Sequence, residues 1–118
     1  MAELVVYGIA NCDTVRRARR ELSAAGWQHH FHDLRKDGLD AALLDRWLAH
    51  VGWEALLNRR GTTWRRLPLE TRDGVDASRA RSLMLAEPTL IRRPVIEADG
   101  QVLVGWDGDQ AALLANKG

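Results

Sequence analysis

One thiol dominates the chemistry open to this chain. Cys12 is the only cysteine among 118 residues, within Leu4-Val5-Val6-Tyr7-Gly8-Ile9-Ala10-Asn11-Cys12-Asp13-Thr14-Val15. A branched, apolar run ends at Gly8, a short loop follows, and a helical pattern opens at Asp13. The thiol is therefore expected where a strand hands over to a helix. At such a junction, unpaired backbone N–H groups and the helix dipole favour a thiolate over a thiol. The flanking Asn11, Asp13 and Thr14 are polar, which does not suit a core cysteine. They are expected to shape a reactive loop through hydrogen bonds. Val15 stands where a Cys-x-x-Cys pair would place its resolving cysteine. A disulfide formed by Cys12 must involve another molecule, and glutathione is the abundant small-thiol candidate.

Three further groups have chemistry to offer. Arg93-Pro94 opens a short apolar run, and proline is unusual at an interior position of a sheet. A cis bond there would turn the Arg93 backbone toward a peptide-like ligand. The Arg93 side chain reads either as a surface ion-pair partner or as an anion contact that steadies a thiolate or a carboxylate. Trp106 precedes Asp107 at a helix start and is the one tryptophan of five read outside the core. His29, His30 and His32 lie on a strand-like run, where His30 and His32 share a face. Without a nearby cysteine or carboxylate they do not make a metal site, and none is assigned.

The elements that must position these residues follow from periodicity. Residues Glu3–Gly8 read as a buried strand. Val15, Ala18, Leu22 and Ala25 recur at helical spacing, and Gly26 stops that helix. Trp27–Leu34 reads as a second strand and Arg35–Gly38 as a turn. Asp40 caps a helix through Val51, Trp53–Leu57 forms a short helix, and an arginine-rich loop surrounds Gly61. A further helix spans Asp76–Ala86. Pro94–Ala98 and Gln101–Gly105 form a hairpin around Asp99-Gly100, and Asp107 or Asp109 caps a last helix over Gln110–Asn116. The order gives an α/β chain with a mixed four-stranded sheet and flanking helices. The first strand-helix-strand unit should be a right-handed parallel crossover. All 118 residues read as one domain, with a helical insertion over about residues 40–87.

Bulk properties narrow the classes. An apolar fraction of 46% and a charged fraction of 28% fit a globular domain. No apolar run approaches the roughly 18 residues of a membrane span. Met1-Ala2-Glu3 does not read as a signal peptide. A single cysteine fits a reducing compartment, and the expected location is the cytoplasm. Of 17 basic residues, 15 are arginine. The net charge of +1 and the lack of a basic helix interleaved with aromatic residues argue against nucleic-acid binding.

Three segments in order carry a family resemblance. They are Tyr7-Gly8-Ile9-Ala10-Asn11-Cys12-Asp13-Thr14-Val15-Arg16-Arg17-Ala18, Asp33-Leu34-Arg35-Lys36-Asp37-Gly38-Leu39 and Ile91-Arg92-Arg93-Pro94. Together they resemble the ArsC/Spx family, and within it the YffB branch of proposed glutathione-dependent thiol reductases. The resemblance implies a thioredoxin-like fold with an inserted helical subdomain. It implies Cys12 as redox nucleophile, Pro94 as a cis-proline facing it, and Arg93 beside the thiol. The backbone flanking Pro94 would pair with the cysteinyl part of glutathione, and Trp106-Asp107 would hold its γ-glutamyl end. Glutathione is then a co-substrate, with no resident cofactor.

Arsenate reductases of the family carry a histidine where this chain has Gly8. They also carry an arginine where Asn58 follows Ala55-Leu56-Leu57, and another on the last strand where this chain has Gly105. Those departures shift the expected substrate from arsenate toward a thiol or disulfide. Two rivals stand beside this reading: an arsenate reductase-like enzyme, and a non-catalytic redox-sensing regulator that binds RNA polymerase through the helical insertion.

Overall fold

The computed structural model describes residues 4–115. In chain order the elements are β1 (Leu4–Gly8), α1 (Asp13–Ala24), β2 (His29–Asp33), α2 (Ala41–His50), α3 (Trp53–Leu56), α4 (Thr62–Arg65), α5 (Leu69–Arg72), α6 (Ala77–Ala86), a 3₁₀ turn (Pro88–Leu90), β3 (Val95–Ala98), β4 (Gln101–Val104) and α7 (Asp109–Ala115). They form two compact units. One runs to Gly38 and resumes at Arg93; the other is Leu39–Arg92.

The first unit holds one mixed sheet, ordered β2-β1-β3-β4. β1 runs parallel to β2 with Val6 opposite Phe31, and antiparallel to β3 with Val6 opposite Ile96. Strand alternation then sends Leu4, Val6, Ile96, Ala98 and Leu103 to one face. There they pack with Ala18 and Leu22 of α1, Leu114 of α7 and the Trp106 ring. On the opposite face the Tyr7 hydroxyl donates to Glu97 Oε1 at 2.6 Å, and the Tyr7 ring lies 5.0 Å from that of His32.

Local signals explain how these elements end. Gly26 takes φ +87°, and Gly26 N–H and Trp27 N–H donate to Ser23 O and Leu22 O, closing α1 in a Schellman turn. Asp99 and Gly100 both have positive φ, +50° and +82°, which is the two-residue I′ hairpin expected of Asp-Gly. Gln110 is buried, and both its amide oxygen and its amide nitrogen are hydrogen-bonded. Its Oε1 accepts Asp107 N–H and its Nε2 donates to Val104 O, both at 2.8 Å, fixing the end of β4 to the start of α7.

The second unit is helical. Asp40 and Asp76 cap α2 and α6, accepting Leu43 N–H at 2.8 Å and Arg79 N–H at 2.9 Å. Trp47, Leu56, Met84 and Ile91 are fully buried. Arg81 forks onto Asp45 at 2.7 and 3.1 Å, joining α6 to α2.

Several expectations need correction. The stretch read as an arginine-rich loop contains α4, because Trp64 is an apolar anchor that turns inward amid arginines. α5 follows Pro68, whose carbonyl accepts Thr71 and Arg72 N–H. β2 is shorter than read, starting at His29. β3 starts at Val95, since Pro94 has no N–H to give a ladder. α7 begins at Asp109 rather than Gln110. Glu3 and Asn116 lie outside the described residues.

Candidate active site

Cys12 is the N-cap of α1, with extended backbone (φ −101°, ψ 122°). Its N–H donates to Ile9 O at 3.2 Å and its carbonyl accepts Arg16 N–H at 3.0 Å, so the loop closes on itself and leads into the helix. The side chain makes no capping bond and is half-buried. Sγ is thus held at a helix N-terminus without being spent on it. Asp13 and Asn11 are exposed and Thr14 is half-buried. The Asp13 carboxylate pairs with the Arg16 guanidinium, which offsets the negative charge beside the thiol.

Register brings the other end of the chain to the same place. Tyr7 faces Val95, so Arg93 and Pro94 enter the sheet where β1 gives way to the Cys12 loop. The Arg93–Pro94 peptide bond is cis. Pro94 is buried and its carbonyl accepts Gly105 N–H at 2.8 Å. Val104 faces Val95, so the segment leaving β4 through Trp106 and Asp107 starts at this same sheet end. Arg17 of α1 donates to Trp106 O at 2.5 Å.

Trp106 does not lie outside the core as expected. Its side chain is only 5% exposed and belongs to the core, and its indole N–H donates to Glu21 Oε1 at 3.1 Å. No polar atom of that side chain is left for a ligand. Asp107 is exposed, and its Oδ1 accepts Asp109 N–H at 3.2 Å.

Two features escaped the sequence reading. A Cβ built on Gly8 would stand 2.6 Å from Val15 Cγ2, closer than real contacts allow, and a tight 3.1 Å from Cγ1. Val15 is 1% exposed. The bare position 8 and the valine in place of a resolving cysteine are therefore one steric unit. Gly105 has φ +85°, a conformation that favours glycine.

The second feature is Asp33. Its Oδ2 accepts Ala10 N–H at 3.3 Å, while Oδ1 accepts Arg35 and Lys36 N–H at 2.9 and 3.1 Å. One carboxylate thereby ties the Cys12 loop to the turn after β2. Desolvation pushes its pKa up, but hydrogen bonds from Lys36, Arg35 and Ala10, with the Lys36 charge, hold it below the ordinary value. An aspartate followed by a short polar turn is a recognisable Asx signal, and it could have been read from Asp33-Leu34-Arg35-Lys36.

The model of the ArsC family matches residues 7–113, nearly the whole chain. The chain belongs to the ArsC family. An uncharacterized protein of Haemophilus influenzae (strain ATCC 51907 / DSM 11121 / KW20 / Rd) is 42% identical over 104 residues, 88% of this chain and 91% of its own. Among solved structures, the YFFB (PA3664) protein superposes with a TM-score of 0.87 at 43% identity, covering 93% of this chain and 96% of that one. An arsenate reductase (ArsC) related protein from Brucella melitensis gives 0.80 at 50% identity, over 95% and 93%. The mixed, thioredoxin-like sheet with flanking helices is thus shared with both structures. No helix among the described residues is long and apolar enough to cross a membrane.

Proposed function

We propose that this ArsC-family chain is a thiol-disulfide oxidoreductase in which Cys12 acts alone and glutathione supplies the second thiol. The observation that carries the reading is an N-cap thiol unspent on capping, with Val15 filling the place of a partner cysteine. In the proposed cycle the Cys12 thiolate attacks the glutathione sulfur of a mixed disulfide. That S–S bond breaks, a Cys12–glutathione disulfide forms, and the substrate thiolate leaves and takes a proton. A glutathione thiolate then attacks the adduct, releasing oxidised glutathione and restoring Cys12. The substrate sulfur is reduced, and the incoming glutathione is oxidised.

Free N–H groups at the start of α1 and the loop of Asn11, Asp13 and Thr14 hold the attacking sulfur. Arg93 offers positive charge to the thiolate or to a glutathione carboxylate. The main chain beside Pro94 would pair with the cysteinyl part of a bound glutathione, and Asp107 would face its ammonium. The Trp106 side chain takes no part. Arsenate is disfavoured as substrate because positions 8 and 105 carry no side chain, and an oxyanion needs converging positive groups.

Intact-mass measurement after exposure to oxidised glutathione tests the reading. Wild type should gain one glutathione that reduced glutathione removes, and Cys12→Ser should gain none. The reading fails if iodoacetamide labels Cys12 readily while glutathione never adds.

A further inference from the structure

A groove runs along the edge of the first unit, between α1 and the start of β2. One part encloses about 450 Å³ and is lined by Arg16, Arg19, Arg20, Ser23 and His29. It continues for about 430 Å³ past Trp27, sharing Arg19, Ser23 and His29. No acidic residue lines either part.

The arginines differ in how they are held. Arg16 is paired with Asp13, but neither Arg19 nor Arg20 pairs with a carboxylate among the described residues. Arg19 is positioned by neutral groups: its guanidinium lies 4.4 Å over the Phe31 ring, and its Nε donates to His29 Nε2 at 3.2 Å. Burial first, and then the Arg19 charge, lower the pKa of His29, which suits an imidazole that accepts from Arg19. Charge is thus presented on a prepared surface without its counter-charge.

The groove also abuts the thiol loop. Arg16 at its near end donates to Ala10 O at 3.5 Å, two residues before Cys12. From Arg16 to Ser23 the helix covers about 10 Å, the span of about three extended residues. The groove is open and shallow, a shape that suits a chain segment better than an enclosed small molecule.

We propose that this groove docks the acidic flank of a glutathionylated protein substrate, with carboxylates on Arg19 and Arg20 and the mixed disulfide at Cys12. The proposal rests on the thiol-transfer reading for its chemistry. Cys12 takes the glutathione, and the acidic polypeptide leaves as its thiol. A glutathione thiolate then clears the adduct.

Two glutathionylated peptides test it, identical except that one carries a run of glutamates beside its cysteine and the other glutamines. The acidic peptide should show a kcat/KM about fivefold higher at low ionic strength, the scale of a few exposed charge contacts. That ratio should fall toward unity in about 0.5 M NaCl, where such contacts are screened. It should also fall in Arg19→Gln/Arg20→Gln and in part in Arg20→Gln, whose side chain pairs with no carboxylate among the described residues. Equal kcat/KM for the two peptides, or a preference indifferent to these variants, overturns the groove. Fluorescence anisotropy with Cys12→Ser and peptides carrying serine for cysteine separates docking from chemistry. Preferential binding of the acidic peptide without turnover of either sinks the thiol reading and leaves the groove standing. An RNA oligonucleotide of matched charge that binds tighter than the acidic peptide overturns the choice of partner.

Discussion

A single methyl group at position 8 should be costly. The Cβ of Gly8→Ala would meet both Val15 methyls, whose atoms sit in a filled core. Overpacking of this kind costs about 1–3 kcal/mol. Urea denaturation should show that loss for Gly8→Ala and a smaller loss for Gly8→Ala in a Val15→Ala background, because the clash is shared. Additive losses would show that the two residues act separately. The chemical side of the residue scale is simpler. Cys12→Ser should lower glutathione-coupled disulfide reduction to the uncatalysed rate with little change in stability, since Sγ makes no cap bond to lose. Activity assays beside thermal unfolding check both halves. The place of Cys12 between a strand and a helix N-terminus was legible because the flanking patterns are local. The Gly8–Val15 contact was not, because it depends on how α1 is aimed across the end of β1.

Elements were legible where a local signal ends them. Gly26, Asp40, Asp76 and the Asp99-Gly100 turn each act through backbone conformation or a nearby N–H, so the signal lies within a few residues. α4 and Trp106 were misread for the opposite reason. Trp64 is pulled into the interior of its own unit, and the Trp106 indole N–H is claimed by Glu21 from far along the chain. The Asp33 clamp joins two loops and has a pH signature. Its carboxyl titrates below the ordinary 3.8, so its stabilisation is complete above that value and fades as pH falls through the lower folded value. The amide signals of Ala10, Arg35 and Lys36 should titrate together below 3.8 by NMR, and Asp33→Asn should abolish that titration. Replacing Asp40 or Asp76 by alanine should cost about 1 kcal/mol each as helix caps are lost, read by denaturant unfolding.

At the scale of the whole chain, the two units differ in how far apart their partners lie. Tyr7 bonds to Glu97, 90 residues away, and β1 pairs with β3 across the entire second unit. Leu39–Arg92 is one continuous stretch whose contacts are all nearer in sequence. Long closures carry an entropy cost before they return any contact. Pulse-labelled hydrogen exchange during refolding should therefore find α2 and α6 protected before the central pairing of β1 with β3. Simultaneous protection everywhere would contradict this order. The mixed sheet was legible from element order and the terminal hairpin. The approach of residues from both ends of the chain to one sheet end came only with the family resemblance, since no local pattern reports which strands will be neighbours.

The lock between positions 8 and 15 also orders the mutations by which a lineage can change its chemistry. A histidine at position 8 must displace the Val15 methyls that its Cβ would meet, an overpacking cost of about 1–3 kcal/mol while valine fills position 15. A cysteine at position 15 carries one γ atom instead of two and can turn it aside. A side chain at position 8 is therefore less costly when the change at residue 15 comes first.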